Sequence, residues 1–142
     1  MQTELVCILK NAKMLKVSKK SQYGLRAAVF LAKNRRKENK YSVKTISEKE
    51  GIPFEFLEKI IRRMAGAGLV KAKKGADGGY FLLKPPAKIS VEEIIFALEG
   101  KNPIVDCLVC GRAEKCGAKN AWVKIENSLA KTLKSIKLAE LI

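Results

Sequence analysis

Hydrophobic positions recur with helical spacing in several segments of this chain and alternate with polar ones in one stretch, and the two patterns predict different elements. In "SQYGLRAAVFLAKNRRK", Tyr23, Ala27, Phe30 and Leu31 fall at i, i+4, i+7 and i+8. This is the stripe of an amphipathic helix, with Ser21 placed to cap it. A polar run, "KENKY", follows. "SVKTISEKEGIP" then offers Ile46 among polar residues before Gly51 and Pro53 break the pattern, which reads as a short helix and a turn. "PFEFLEKIIRRMAGAG" has Pro53 where a first helical turn tolerates it. Phe54, Leu57, Ile61 and Met64 share one face there, leaving Glu55, Glu58, Lys59, Arg62 and Arg63 outward.

A short helix, a glycine turn and a second helix with a polar outer face form the helix-turn-helix pattern, whose second helix enters the major groove of DNA. "LVKAKKGADGGYFLLKP" alternates well enough for two strands, and "KKGADGG" supplies residues that tolerate positive φ, so a hairpin follows. A basic hairpin after a helix-turn-helix is a wing. In "SVEEIIFALEG", Ser90 and Glu93 have the spacing of a capping box and Gly100 suits a left-handed C-cap. In "AWVKIENSLAKTLKSIKLAELI", Trp122, Ile125, Leu129, Leu133 and Ile136 form a helical stripe with no further sequence to cover it. That seam reads as a dimer interface, with packing back on its own domain as the alternative. The fold class expected is mostly α with a small β-hairpin wing (α+β): a winged helix-turn-helix domain plus a long C-terminal dimerisation helix. Its boundaries are an N-terminal extension at 1–13, the winged domain at 14–100, a cysteine-containing loop at 101–120 and the dimerisation helix and tail at 121–142.

Charge sharpens this picture. The chain has 142 residues, 47% of them hydrophobic, and a formal net charge of +15; its isoelectric point is near 9.8. Such a balance points to a polyanionic partner, nucleic acid before membrane. Residues 10–40 carry eleven Lys or Arg against Glu38 alone, whereas residues 121–142 have four Lys against two Glu. The basic front end reads as one face meeting phosphates, with solvated lysines as the plain alternative. No run reaches the roughly 20 apolar residues that span a bilayer, and "MQTELVCILKNAK" does not read as a signal peptide, so a cytoplasmic location without membrane attachment is expected.

The cysteines add chemistry. "DCLVCGRAEKC" holds Cys107, Cys110 and Cys116 in a chain without histidine. In a reducing compartment, clustered thiols read as metal ligands or redox groups before a disulfide. Zinc, an iron-sulfur cluster and no metal at all remain open on spacing alone. An enzyme is disfavoured: there is no histidine, no phosphate-cradling glycine loop after a strand and no paired carboxylates in a plausible cleft.

The order of elements resembles the family of the bacterial regulators IscR, NsrR and CymR. The carriers are "SKKSQYGLRAAVFLA", "ISEKEGIPFEFLEKIIRRMAGAGLVKAKKGADGGYFLLKP", "AW" and "IKLAELI", and the resemblance covers nearly all of residues 14–142. It implies a homodimeric transcription factor that binds a pseudo-palindromic operator in double-stranded DNA; a repressor is one expectation, with activation left open. Glu55, Glu58 and Lys59 would face bases and Lys74 and Gly75 the minor groove. Lys19, Lys20 and Arg26 would hold phosphates, and Arg62 and Lys73 complete the DNA-binding set. The same resemblance implies an iron-sulfur cluster on Cys107, Cys110 and Cys116, a 2Fe-2S cluster ahead of a 4Fe-4S one. The step from Cys107 to Cys110 is shorter than in IscR-like proteins. Their fourth ligand, a histidine, aligns with Lys119, and the aspartate used by NsrR-like proteins aligns with Gln22. Cys7, Asp106, Glu114 or solvent are the substitutes, Cys7 being chemically the best. A cluster-free regulator and a zinc-stapled nucleic-acid-binding protein are the alternatives.

Overall fold

The computed structural model describes residues 17–36, 39–76, 78–101, 115 and 117–142. Among them the elements run α1 (Lys19–Lys33), α2 (Val43–Glu50), α3 (Phe54–Gly66), β1 (Val70–Lys73), β2 (Gly79–Leu82), α4 (Val91–Glu99) and α5 (Lys119–Ser135). Short 3-10 turns lie at Pro86–Lys88 and Leu138–Leu141. The described chain is mostly helical with one small antiparallel sheet, as the periodicity implies.

Helix α1 starts earlier than its pattern suggests. Ser18, not Ser21, is the cap: its extended backbone turns the hydroxyl to accept from Ser21 N at 3.3 Å. Ser21 is buried and donates its hydroxyl to Glu99 Oε1 at 2.8 Å. The buried face of α1 is built of small residues, among them Gly24, Ala27, Ala28 and Ala32. A Cβ on Gly24 would overlap Leu98 Cδ1, so the close packing of α1 on α4 depends on the missing side chain.

The helix-turn-helix has a tightly specified turn. Ser42 caps α2, accepting from Thr45 N at 3.0 Å. Gly51 ends it with φ 63° and ψ 39°, a left-handed conformation that glycine adopts without steric cost. Ile52 then enters the core with its N–H donated to Ser47 O at 3.1 Å. On α3, Leu57, Ile60, Ile61 and Met64 are buried. Phe54, expected on that face, is 48% exposed, because the first position of the helix lies beyond the core, and Ile60 takes its place.

The wing pairs Val70 with Leu82 and Lys73 with Gly79, the hairpin expected from the alternation. A third segment, unforeseen, joins it: Tyr41 and Tyr80 exchange backbone bonds of 3.0 and 2.8 Å. Gly79 permits this, since a Cβ there would meet the Tyr41 backbone at 2.6–2.8 Å. Of the capping box at α4 only half forms. Ser90 Oγ accepts from Glu93 N at 3.2 Å, while the Glu93 carboxylate turns to Lys84 Nζ at 3.4 Å. Gly100 has the expected positive φ, 79°, but its ψ of 175° is extended, so it redirects the chain rather than forming a left-handed cap.

Helix α5 buries none of its residues. Ile125 and Leu129 are 37% and 40% exposed, and Trp122 and Leu133 are half-buried. The tail behaves differently. Val91 N donates to Ile136 O at 2.9 Å and Leu138 N to Ile89 O at 2.8 Å, which inserts Leu138, fully buried, into the core with Ile89, Ile94 and Leu98. The packing back that sequence offers as an alternative thus holds for the tail, while α5 itself touches α4 and leaves Ile125 and Leu129 exposed.

Candidate nucleic-acid interface

The outer face of α3 carries Glu55, Glu58, Lys59 and Arg62, all exposed. Burial of the opposite face leaves these side chains no other direction. Glu58 and Arg62 are paired one turn apart at 3.5 Å, an exposed contact of a few tenths of a kcal/mol that any stronger anion can displace.

Beside this face stands the front of α1. Tyr23 packs its ring edge-on against Phe56 of α3, centroids 5.6 Å apart, so the two helices meet through an aromatic pair. Lys19 Nζ lies 5.8 Å and the Arg26 guanidinium 5.9 Å from the Tyr23 ring centroid, within cation–π range. Arg26 also donates to Glu50 O and lies 3.7 Å from the Glu50 carboxylate. It thus ties α1 to the last turn of α2, a fixed role that sequence reading missed when it grouped Arg26 with Lys19 and Lys20. The helical period places Tyr23 in a core stripe, and its spacing to Lys19 and Arg26, one turn either way, is the sequence signal of this second role.

Lys20 points to a different neighbour. Its Nζ is 3.8 Å from Glu99 Oε2, while Glu99 Oε1 accepts from Ser18 and Ser21 hydroxyls. The Ser18 hydroxyl, with help from Ser21, Lys20 and Arg63, holds the Glu99 carboxyl below its ordinary range against the opposing effect of burial. Arg63, read as outward, donates to Leu98 O at 2.9 Å and so satisfies a terminal carbonyl of α4. Glu99 therefore joins the N-terminus of α1 to the point where the chain leaves α4.

At the wing, Lys73, Lys74 and Gly75 are exposed, and Gly75 has φ 127°, which a larger residue would adopt only with strain. Gly78 N donates to Gly75 O at 2.9 Å and closes the loop. The outer face of α3, the front of α1 and the wing are thus three charged segments on one packed unit. Cys7, Cys107, Cys110 and Cys116 lie outside the described residues, as do Asp106 and Glu114. Of the positions aligned with the family's fourth ligands, Lys119 opens α5 and Gln22 donates its amide to Val17 O at 2.8 Å. No described helix is long and apolar enough to cross a membrane.

The profile of the Rrf2 family, described as an iron-dependent transcriptional regulator, matches residues 17–142. The chain belongs to the Rrf2 family. It is 33% identical to the HTH-type transcriptional regulator CymR of Bacillus subtilis over 127 residues, 89% of each chain. To the protein rrf2 of Nitratidesulfovibrio vulgaris it is 30% identical over 132 residues, 90% of this chain and 87% of the other. The solved structure of T. potens IscR superposes with a TM-score of 0.76 at 37% identity, covering 92% of this chain and 88% of that one. The family description and the name of the CymR relative are those of a transcriptional regulator, not an enzyme, and the chain is accordingly an Rrf2-family transcriptional regulator with a winged-helix fold.

Proposed function

We propose that this protein is a cytoplasmic homodimeric DNA-binding regulator, acting as a repressor, whose operator affinity follows the state of an iron-sulfur cluster. The observation that carries the DNA reading is the α2–Gly51–α3 turn, which presents Glu55, Glu58 and Lys59 beside the cationic front of α1. Glu55, Glu58 and Lys59 would read base edges. Lys19, Lys20, Arg62 and Lys73 would meet phosphates, and Lys74 with Gly75 the minor groove. The exposed Ile125 and Leu129, with Trp122 and Leu133, form the seam proposed for a second copy, so that two recognition helices address a pseudo-palindrome.

For the cluster, the donor set fits: thiolates are the usual ligands of iron-sulfur clusters, and three stand within eleven positions. Support comes also from the family description and from the likeness to a protein named IscR. When bound, a cluster, 2Fe-2S in this reading, supplies ligation sensitive to oxidation and to nitric oxide. Neither family fourth ligand is present: a lysine, Lys119, stands at one position, and at the other the Gln22 amide is committed to Val17. Cys7 is the candidate that completes four thiolates. The chain's own contribution to signalling runs through Glu99. It stands two residues before Lys101, where the cysteine segment begins, and its carboxylate holds Ser18, Ser21 and Lys20 at the start of α1. A shift at the root of that segment alters this carboxylate's grip, and with it the phosphate-facing end of α1.

A regulator without a cluster is the second reading, favoured by the 33% identity to CymR. Anaerobic purification with absorbance, iron, sulfide and zinc analysis separates the readings. Coloured protein with matching iron and sulfide supports the cluster, zinc alone makes the site a structural staple, and metal-free protein supports the second reading.

A further inference from the structure

A cleft of about 430 Å³ lies against the wing sheet, away from the residues considered so far except Lys73. Arg35, Arg36 and Lys40, from the connection between α1 and α2, line it together with Lys73 of β1 and the apolar Phe81 and Leu83. The register explains the arrangement. Val70 and Leu82 are a pair and both buried, so their face of the hairpin is the core face. Alternation then places Lys71, Lys73 and Phe81 on the opposite face. The Tyr41–Tyr80 bridge brings the connection alongside β2. No described carboxylate lines the cleft. The ion pairs found among the described residues use Lys20, Arg26, Arg62 and Lys84 and none of these four cations.

We propose that this cleft binds the sugar-phosphate backbone of duplex DNA flanking the half-site, a proposal that rests on the DNA-binding reading above. Two guanidinium groups and two ammonium groups suit phosphate oxyanions, the guanidiniums in bidentate fashion. A free inorganic phosphate has no use for apolar lining residues, whereas a nucleic-acid backbone alternates charged phosphates with the largely apolar faces of its sugars. Continuity favours DNA as well. Lys73 is one residue from Lys74 at the wing tip, and four ladder pairs extend about 13 Å, the axial length of roughly four base pairs at 3.4 Å each. A backbone held at the tip can therefore run on into the cleft.

The test uses a duplex enriched from random sequence by the full-length protein, trimmed to the protected core or extended by several base pairs on each side. The probe is fluorescence anisotropy across 50–200 mM salt. Each neutralised phosphate adds about 0.9 to the slope of log affinity against log salt. For the wild type, the extended duplex should therefore show a slope steeper by about two or more. Arg35→Ala with Arg36→Ala should abolish that difference while leaving the trimmed duplex unaffected. A slope change of two corresponds to about a sixteenfold affinity difference across that fourfold salt range. The proposal is overturned if extension adds nothing for the wild type, if the variant keeps the gain, or if the variant loses equally on both duplexes. Tripolyphosphate that binds the wild type and not the variant, without any extension gain, would reassign the cleft to free phosphates. Failure of the wild type to enrich any duplex would overturn the DNA-binding reading itself, and this proposal with it.

Discussion

Leu138→Ala should destabilise the winged-helix core although it lies beyond the helix proposed for dimerisation. Leu138 has no exposed surface and shares the buried cluster with Ile89, Ile94 and Leu98. Truncation removes the transfer free energy of its side chain and leaves a cavity, since the Leu138 N to Ile89 O bond of 2.8 Å holds the backbone in place. Leucine-to-alanine changes in such surroundings cost about 3 kcal/mol or more. At roughly 3–5 °C per kcal/mol for a chain of this size, the melting midpoint should fall by about 10 °C. Leu141→Ala, at a position 37% exposed in the same 3-10 turn, should change stability by about 0.5 kcal/mol or less. Circular-dichroism melts of variant and wild type at two protein concentrations separate a core defect, which lowers the midpoint by a similar amount at both, from a weakened dimer, which lowers it more at the lower concentration. A Leu138→Ala midpoint within about 2 °C of the wild type would refute the placement of the tail in the core.

Other perturbations reach other parts of the account. The folded Glu99 carboxyl titrates below its ordinary value of 4.5, so its stabilising effect is complete above that value and is lost as pH falls through the lower folded one. Glu99→Gln should therefore be less stable than the wild type at neutral pH and lose less on acidification. Parallel urea midpoints from pH 7 to pH 3 would contradict this. Leu129→Glu places a charge in the exposed seam of α5 and should yield monomers in sedimentation at micromolar concentration, where an unchanged dimer would move the interface elsewhere. On DNA, Glu58→Ala should change the preferred sequence, whereas Lys20→Ala should weaken all sequences and lower the salt slope by about one unit per contact. Unchanged relative affinities for operator variants in Glu58→Ala would mean that this side chain does not read bases.

The elements with a strong period were legible in the sequence: α1, α3 and the wing hairpin follow from the spacing of apolar residues, and Gly51 from the turn it must make. What the pattern could not show depends on contacts between distant segments. Ser18 and Ser21 are equivalent as caps by sequence, and only the position of Glu99 decides which one enters the core. Tyr41 looks like the end of a polar loop until Tyr80 supplies its partner. Ile136 reads as the last position of the α5 stripe, but the helix ends at Ser135 and the chain turns at Ile136, which buries Leu138, a residue the stripe does not single out. In the candidate interface, the exposed face of α3 and the wing lysines were readable because burial of one face dictates the other. Arg26 was not, because its partner, Glu50, belongs to another helix. The cysteine spacing motivates the ligand reading, and thiolate counting alone does not choose among iron, zinc and no metal.

The central claim is that cluster state sets operator affinity, and the most direct measurement compares one selected duplex with two forms of the protein under anaerobic conditions. One is the protein as purified; the other carries Cys107→Ser, Cys110→Ser and Cys116→Ser together. Anisotropy titrations at fixed salt should give dissociation constants that differ by about fivefold or more, the coupling expected when a ligand biases two states. Equal dissociation constants for two folded dimers, with the cluster present in the first, would contradict the account.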